Sequence, residues 1–172
     1  MSYLEKLADI RTFIFDVDGV LTDSSVYILE NGQLLRKMNV RDGYAIKYAI
    51  EQKYEVIIIT GGNSQGVIKR LQDLGVKRIF SGVSRKLKIL EELVHEQVID
   101  LNHTLYMGDD LPDYDCMRSV HLSTCPANAA TEIKTVSQYI SPVVGGQGCV
   151  RDIIEKVLKS QNKWKISDNA QL

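Results

Sequence analysis

Short runs of apolar residues alternate along the chain with segments in which apolar residues recur every three or four positions. The runs predict buried strands, and the periodic segments predict amphipathic helices. The predicted strands cover 13–15, 56–59, 78–80, 104–107 and 120–123, and the predicted helices cover 2–10, 39–52, 65–74, 84–97, 129–136 and 150–159. This alternation predicts an α/β fold, a Rossmann-like parallel sheet with helices on both faces.

One segment departs from the alternation. Two β-prone runs, 25–30 and 33–40, flank Asn31 and Gly32, a pair typical of a two-residue hairpin turn. A two-stranded ribbon is only marginally stable alone and leaves unpaired edges. We therefore expect a β-hairpin over 25–40 that projects from the sheet and packs against a partner subunit.

Composition bounds the organisation of the chain. Its 172 residues, 44% hydrophobic and 25% charged, are typical of a globular protein with one core. We expect a single domain over 1–160 and a polar C-terminal tail over 161–172. A net charge of -1 gives no indication of nucleic-acid binding, and the sequence shows neither a membrane-spanning run nor a signal peptide, so we expect a cytoplasmic protein. The three cysteines lack the paired spacing of a zinc site or a disulfide framework.

Polar and acidic side chains follow four of the predicted strands. Because the carboxyl ends of parallel strands meet at one edge of a sheet, these side chains should form one site. Alternation along a strand also turns two aspartates one residue apart in the same direction. In chain order, the set is Asp16, Asp18, Thr60, Lys86, Asp109, Asp110 and Asp113.

The carboxylates in this set predict a metal ion. Two like charges about 4 Å apart repel by about 4 kcal/mol at an effective dielectric of about 20, so the cluster needs a shared cation. Oxygen ligands without nearby histidine or cysteine favour Mg²⁺ over zinc. We expect Asp16, Asp18 and Asp109 to bind it, and Asp110 or Asp113 to orient metal-bound water or Lys86. Such a site predicts phosphoryl transfer.

Roles follow from the chemistry of the side chains. Asp16 should be ionised without help, because an unperturbed aspartate has a pKa of about 3.9, and it can attack phosphorus to form an aspartyl-phosphate. Asp18 can protonate the leaving alkoxide and later accept a proton from the attacking water. Thr60 and the backbone amides after it, beginning with Gly61, can hold phosphoryl oxygens, while Lys86 neutralises charge.

The segments DVDGVLTD and GDDLPD, with Thr60 at a strand end and Lys86 between them, resemble the four motifs of the haloacid dehalogenase superfamily. More narrowly, the Asn-Gly hairpin and the segments NVRDGYAIK, YMGDD and GGQGCVRD are similar to the 3-deoxy-D-manno-octulosonate 8-phosphate phosphatases, a subclass without a cap domain. The resemblance implies a homotetramer that assembles through its hairpins, with neighbouring subunits helping to close each site. The stretch between Asp16 and Thr60 agrees, since a hairpin and one helix use most of it and leave no room for a cap.

The resemblance also implies a set of contacts to a phosphorylated sugar acid. Gly62, however, stands where this family usually has Arg, and Lys47 stands where Arg is common; the two cations are not equivalent for bidentate carboxylate binding. Relatives that act on 2-keto-3-deoxynononate 9-phosphate, the nine-carbon acid phosphate, have Glu at the Gly62 position. The sequence therefore does not decide between this substrate and 3-deoxy-D-manno-octulosonate 8-phosphate, the eight-carbon acid phosphate. The implied substrate-binding residues are Asn39, Val40, Arg41, Asp42, Gly43, Lys47, Gly61, Arg70 and Lys86.

Two alternatives belong to other functional classes. A receiver domain also places Asp, Thr or Ser, and Lys on a parallel sheet, but it has no use for Asp18 two residues after the nucleophile. A non-catalytic regulatory or oligomerisation module of sugar-nucleotide synthesis could share the fold. The intact set of Asp16, Asp18, Lys86 and Asp109 argues against it.

Overall fold

The computed structural model describes residues 2–165. Its strands are β1 (Thr12–Phe15), β2 (Tyr27–Ile28), β3 (Leu34–Leu35), β4 (Glu55–Ile59), β5 (Arg78–Phe80), β6 (Thr104–Met107), β7 (Leu122–Cys125) and β8 (Tyr139–Ile140). Its α-helices are α1 (Tyr3–Lys6), α2 (Val40–Glu51), α3 (Gln65–Asp73), α4 (Lys86–His95), α5 (Tyr114–Ser119), α6 (Thr131–Val136) and α7 (Cys149–Ser160). Within 2–165, no helix is long and apolar enough to cross a bilayer.

The main sheet has the strand order β5-β4-β1-β6-β7-β8, and every neighbouring pair is parallel. From β1 the chain builds outward through β4 and β5 on one side, then returns to add β6, β7 and β8 on the other. The carboxyl end of β1 therefore lies at a topological switch point, where open α/β sheets bind their ligands. The predicted fold class is confirmed.

Both faces of the sheet are covered. Phe13 and Phe15 of β1 belong to a buried cluster that includes residues of α2, α3 and α7, whereas Ile14 belongs to a second cluster with residues of α4, α5 and α6. Strands buried on both sides have no polar face, which explains why they read as continuous apolar runs.

Several boundaries differ from the sequence prediction. The last predicted strand, 120–123, lies at Leu122–Cys125, and the N-terminal helix predicted over 2–10 ends at Lys6 and continues as a 3₁₀ turn over Leu7–Asp9. Helix α5 and strand β8 were not predicted. Strand β8 has only two residues, too few to show an alternating pattern, and α5 directly follows the 3₁₀ turn of the acidic loop, Leu111–Asp113.

The hairpin forms a separate two-stranded sheet with a shorter ladder than predicted. Only Tyr27 with Leu35 and Ile28 with Leu34 are paired. The predicted two-residue turn is wrong, because Leu29 N–H donates to the Gln33 carbonyl at 2.9 Å and three residues lie between them. Gly32, with φ +82, takes the left-handed position, as in three-residue hairpin loops.

The first residues of the predicted tail pack against the domain. The Gln161 side chain donates to the carbonyls of Leu7 and Ile10 at 3.0 and 2.8 Å and accepts a bond from the Tyr54 hydroxyl at 2.6 Å. The Trp164 ring lies 4.9 Å from that of Tyr48, measured between centroids. Residues 166–172 of the predicted tail lie outside the described residues, and the boundary at 160 stays a prediction.

Candidate active site

Strand β1 delivers Asp16 to the carboxyl edge of the sheet. The Asp16 N–H donates to the Met107 carbonyl at 3.1 Å, which extends the pairing of β1 with β6 by one residue. One carboxylate oxygen, Oδ1, accepts a bond from the Val17 N–H at 2.7 Å. The loop then turns at Gly19, whose φ is +90 and where any Cβ would overlap the Asp109 carboxylate. Glycine at this position therefore lets the two acidic loops approach each other.

Three carboxylates and one ammonium group form the centre of the site. Oxygens of Asp16, Asp109 and Asp113 all lie within 4.8 Å of one another. Lys86 Nζ lies 2.9 Å from Asp16 Oδ2 and 2.7 Å from Asp113 Oδ1. The Tyr106 hydroxyl also donates to Asp113 Oδ1, at 2.7 Å. The structure thus brings together side chains that follow β1, β5 and β6.

Burial and repulsion shape the ionisation of this cluster. Burial raises the pKa of Asp109 to about 7, and the Asp16 charge adds to the rise. Burial also raises the pKa of Asp16 to about 6, with repulsion from Asp113 opposing the attraction of Lys86. Burial acts to lower the pKa of Lys86, but its two carboxylate partners raise it above its usual value. With a pKa of about 6, Asp16 is still mostly ionised at neutral pH, but by a smaller margin than the unperturbed value of about 3.9 predicts.

The donor set fits a divalent cation. Three carboxylates beside a single ammonium leave two negative charges in excess when all are ionised, and every candidate ligand in the cluster is an oxygen. Asp113 is already engaged, since Oδ1 accepts bonds from Lys86 and Tyr106 while Oδ2 accepts a bond from the Asp109 N–H at 3.3 Å. Its contacts make Asp113 the group that positions Lys86.

Asp18 lies at the edge of this cluster and faces a different partner. Its Oδ1 accepts a bond from Arg36 Nε at 2.7 Å, and its Oδ2 accepts one from Arg36 Nη2 at 3.2 Å. The Asp18 carboxylate raises the pKa of that guanidinium. Thr60, at the end of β4, is buried, and its hydroxyl oxygen accepts a bond from the Gly62 N–H at 3.1 Å. Asp18, Arg36, Thr60 and Gly62 line one small cavity.

Comparison with known proteins agrees with this geometry. Residues 78–153 match the family described as haloacid dehalogenase-like hydrolase. The 3-deoxy-D-manno-octulosonate 8-phosphate phosphatase KdsC of Escherichia coli K12 is 38% identical over 160 residues, which cover 93% of this chain and 85% of that protein. The chain belongs to this phosphatase family. It is thereby an enzyme of the phosphoric monoester hydrolase class.

Solved structures of the family have the same fold. The phosphatase from Yersinia pestis superposes with a TM-score of 0.90 at 35% identity, covering 93% of this chain and 86% of that one. The phosphatase from Moraxella catarrhalis, solved in complex with magnesium ion, phosphate ion and KDO, gives a TM-score of 0.89 at 34% identity, with 92% and 91% covered.

Two residues predicted to bind substrate, Asn39 and Asp42, instead accept hydrogen bonds from backbone N–H groups in the first turns of helices. The Asn39 side chain accepts a bond from the Arg41 N–H at 2.8 Å and caps α2. Asp42 is almost fully buried, and its Oδ1 accepts a bond from the Arg151 N–H at 2.7 Å in the first turn of α7. Burial raises the pKa of Asp42 to about 6. The described contacts of both residues thus serve helix capping.

The other predicted substrate residues are distributed around the site. Arg70 lines a groove of about 810 Å³ between the hairpin and α3, and a Cβ on Gly43 would lie 2.9 Å from Arg70 Nη2. Arg41 lines a different groove, with Arg151. The side chains of Val40 and Lys47 are exposed on α2, and Gly61 is exposed in the loop after β4.

Among residues 2–165, the hydrogen bonds and ion pairs of Lys86 go to Asp16 and Asp113 and not to Asp110. Asp110 Oδ1 accepts a bond from the Leu111 N–H at 2.8 Å, and the residue is exposed. Of the two carboxylates predicted to orient Lys86, the structure therefore brings only Asp113 to it.

Sequence reasoning missed two residues of the site. Arg36 was read as part of a β-prone hairpin strand, and Tyr106 as part of an apolar strand. A basic residue beside the two leucines of β3 is a usable signal for Arg36. Tyr106 carries no comparable signal, because its hydroxyl meets Asp113 only once β6 and the following turn are folded.

Proposed function

We propose that this protein is a Mg²⁺-dependent phosphatase that hydrolyses 3-deoxy-D-manno-octulosonate 8-phosphate to the free sugar acid and phosphate. The observation that carries the proposal is the position of Asp16 at the switch point of the sheet, where its carboxylate contacts Lys86 and lies within 4.8 Å of those of Asp109 and Asp113. The names of the E. coli and Y. pestis relatives, and the ligands of the M. catarrhalis structure, support this substrate and this metal.

Asp16 and Asp109 would hold the Mg²⁺, beside Asp113. When bound, the ion neutralises the phosphoryl oxygens and the excess negative charge of the cluster. Asp16 and Asp109 would bind the ion in their ionised forms, because binding to a carboxylate requires loss of its proton. The Asp18 carboxylate pairs with Arg36 and is not one of the three carboxylates grouped around Lys86, so we assign its side chain the acid–base role and not the ligand role predicted from the sequence.

The first half-reaction breaks the phosphate ester. An Asp16 carboxylate oxygen attacks phosphorus, the new O–P bond forms the aspartyl-phosphate, and the bond between phosphorus and the sugar oxygen breaks. Asp18 gives its proton to the leaving alkoxide. Lys86, the Thr60 hydroxyl and the Gly61 N–H stabilise the negative charge on the phosphoryl oxygens.

The second half-reaction regenerates the enzyme. Water attacks the phosphorus of the aspartyl-phosphate, Asp18 takes a proton from that water, and the bond to Asp16 breaks with release of phosphate. Because Lys86 is tied to both Asp16 and Asp113, it stays in place through both steps.

Release of inorganic phosphate from a substrate panel tests the proposal. The panel contains the eight-carbon acid phosphate, 2-keto-3-deoxynononate 9-phosphate and simple sugar phosphates, each with Mg²⁺ and with chelator. We expect Mg²⁺-dependent turnover with preference for the eight-carbon acid. Preference for the nine-carbon acid would make Gly62 compatible with the larger substrate, and inactivity on every member would favour the non-catalytic module.

We further propose that the protein assembles as a homotetramer through its hairpins. Six large apolar side chains of the hairpin are exposed in a single chain, and burial of such a cluster between subunits would stabilise an assembly. They are Val26, Tyr27, Ile28, Leu29, Leu34 and Leu35.

A further inference from the structure

We propose that Arg36 of the hairpin recognises the carboxylate of the substrate and that Gly62 leaves the space in which it does so. This inference rests on the proposed function, since it names the residue that selects acidic sugar phosphates. Arg36 is not among the substrate-binding residues that the family resemblance implies, which are Asn39 to Gly43, Lys47, Gly61, Arg70 and Lys86.

Arg36 contacts Asp18 and also lines the large groove. Its side chain is only 9% exposed although the hairpin around it is open to solvent. It lines both the small cavity beside Asp18 and Thr60 and the groove of about 810 Å³ next to it. A groove of that size accommodates a small organic ligand. A sugar acid with its phosphate at Asp16 would extend along the groove past this guanidinium.

Gly62 and Arg36 occupy adjacent space. A Cβ on Gly62 would lie 3.3 Å from Arg36 Nη2 and 3.0 Å from Asp18 Oδ2. A longer side chain at position 62 would therefore compete with the guanidinium for the same volume. Gly62, in the loop after β4, has no side chain to occupy this space, and the Arg36 guanidinium lies beside it. The hairpin therefore supplies a cation that the loop after β4 does not.

The guanidinium retains capacity for a second carboxylate. The hydrogen bonds described for Arg36 within residues 2–165 use Nε and Nη2 and go to Asp18. Arginine presents further N–H donors on its other edge, in a planar fork that matches a carboxylate. Arg36 can thus bind the substrate acid while it holds Asp18 beside the leaving oxygen.

The test compares two substrates across a mutant cycle. We would measure kcat/KM for the eight-carbon acid phosphate and for p-nitrophenyl phosphate, which has no carboxylate, with Arg36→Gln, Gly62→Arg and the double variant. Lys37→Gln is the matched control, since Lys37 is the neighbouring cation on the hairpin, is exposed and pairs with Asp23 and not with Asp18. Arg36→Lys keeps the charge without the fork and covers the case in which Arg36→Gln does not fold.

We expect Arg36→Gln to reduce kcat/KM for the acid about 10–100-fold more than for p-nitrophenyl phosphate, mainly through KM. Arg36→Lys should show a smaller selective loss, and Lys37→Gln none. Adding Gly62→Arg to Arg36→Gln should restore part of the lost preference, whereas Gly62→Arg alone should not increase it.

Equal losses on both substrates in Arg36→Gln, without rescue by Gly62→Arg, would overturn the inference and leave Arg36 as a support for Asp18. That result leaves the proposed function standing. A wild-type enzyme without activity on the eight-carbon acid would overturn the proposed function and this inference with it.

Discussion

At the scale of single residues, burial raises the pKa of two carboxyl groups in the acidic cluster. The pKa values of Asp16 and Asp109, about 6 and about 7, both lie above the unperturbed 3.8 because of burial and mutual repulsion. A carboxyl group whose pKa is raised in the folded state makes folding less favourable as pH rises from its unfolded to its folded pKa. Because of these two groups, the free energy of unfolding of the metal-free protein should decrease as the pH rises from about 4 to about 7.

Stabilisation by Mg²⁺ should follow the opposite trend. The ion replaces those protons, so its apparent affinity should be at least about tenfold higher at pH 8 than at pH 5.5. The measurement is the rise in melting temperature on titration with MgCl₂ at each pH. A response of equal size at both pH values would show that Asp16 and Asp109 do not bind the ion.

Asp109→Asn tests both effects at one position, namely the loss of stability caused by charge repulsion and the stabilisation by Mg²⁺. Removal of one charge from the cluster should stabilise the metal-free protein by about 1–2 kcal/mol at pH 8 and abolish the response to Mg²⁺. Urea unfolding with and without MgCl₂ measures both. Asp110→Asn is the matched control, because Asp110 is exposed and bonds to Leu111; it should behave like the wild type.

At the scale of elements, the starts of α2 and α7 are tied together. Asp42, in the first turn of α2, accepts a bond from the Arg151 N–H in the first turn of α7, and these two helices pack against the same face of the sheet. The glycine loop before α7 also contacts the acidic loop, since the Gly146 N–H donates to the Val20 carbonyl at 2.9 Å. Helix packing thereby fixes the loop that follows Asp16.

Asp42→Ala tests which role this residue has. Loss of the cap should reduce the free energy of unfolding by about 1–2 kcal/mol, with less than about a threefold change in KM. Urea unfolding and steady-state kinetics measure the two effects, and Asp73→Ala, an exposed position on α3, is the control. A large rise in KM with unchanged stability would instead support the substrate contact that the family resemblance implies.

At the scale of the whole molecule, the hairpin carries both the exposed apolar residues of the proposed interface and the arginine that contacts Asp18. Its outer residues Tyr27 and Ile28 are 67% and 74% exposed in the single chain, while Arg36 on the same hairpin contacts Asp18. An assembly that covers the apolar residues would also hold Arg36 in position. If both proposals hold, oligomerisation and substrate selection depend on one element.

Ile28→Asp should dissociate the assembly. A charge in a buried apolar interface is costly, so the variant should elute as smaller species and lose preference for the acidic substrate. Size-exclusion chromatography with light scattering should give four copies of the 19.4 kDa chain for the wild type. Leu4→Asp, at another exposed apolar position, is the control. A monomeric wild type would contradict the proposal.

The sequence predicted the fold and the acidic cluster more reliably than it predicted the partners of individual side chains. Apolar runs such as 56–59 and the acidic loops after β1 and β6 are local features, and the parallel sheet then brings them together. The contacts of Arg36 with Asp18 and of Asp42 with α7 join residues far apart in the chain. They depend on tertiary packing, which a local pattern does not contain.

The rate of phosphate release by Asp16→Asn tests the central claim most directly. It should be measured with the eight-carbon acid phosphate at saturating Mg²⁺, beside the wild type and Asp110→Asn, after unfolding curves have shown that each variant is folded. If Asp16 is the nucleophile, turnover should fall at least about 1000-fold in Asp16→Asn and change little in Asp110→Asn. Retention of more than a few per cent of the wild-type rate by folded Asp16→Asn would contradict the aspartyl-phosphate mechanism.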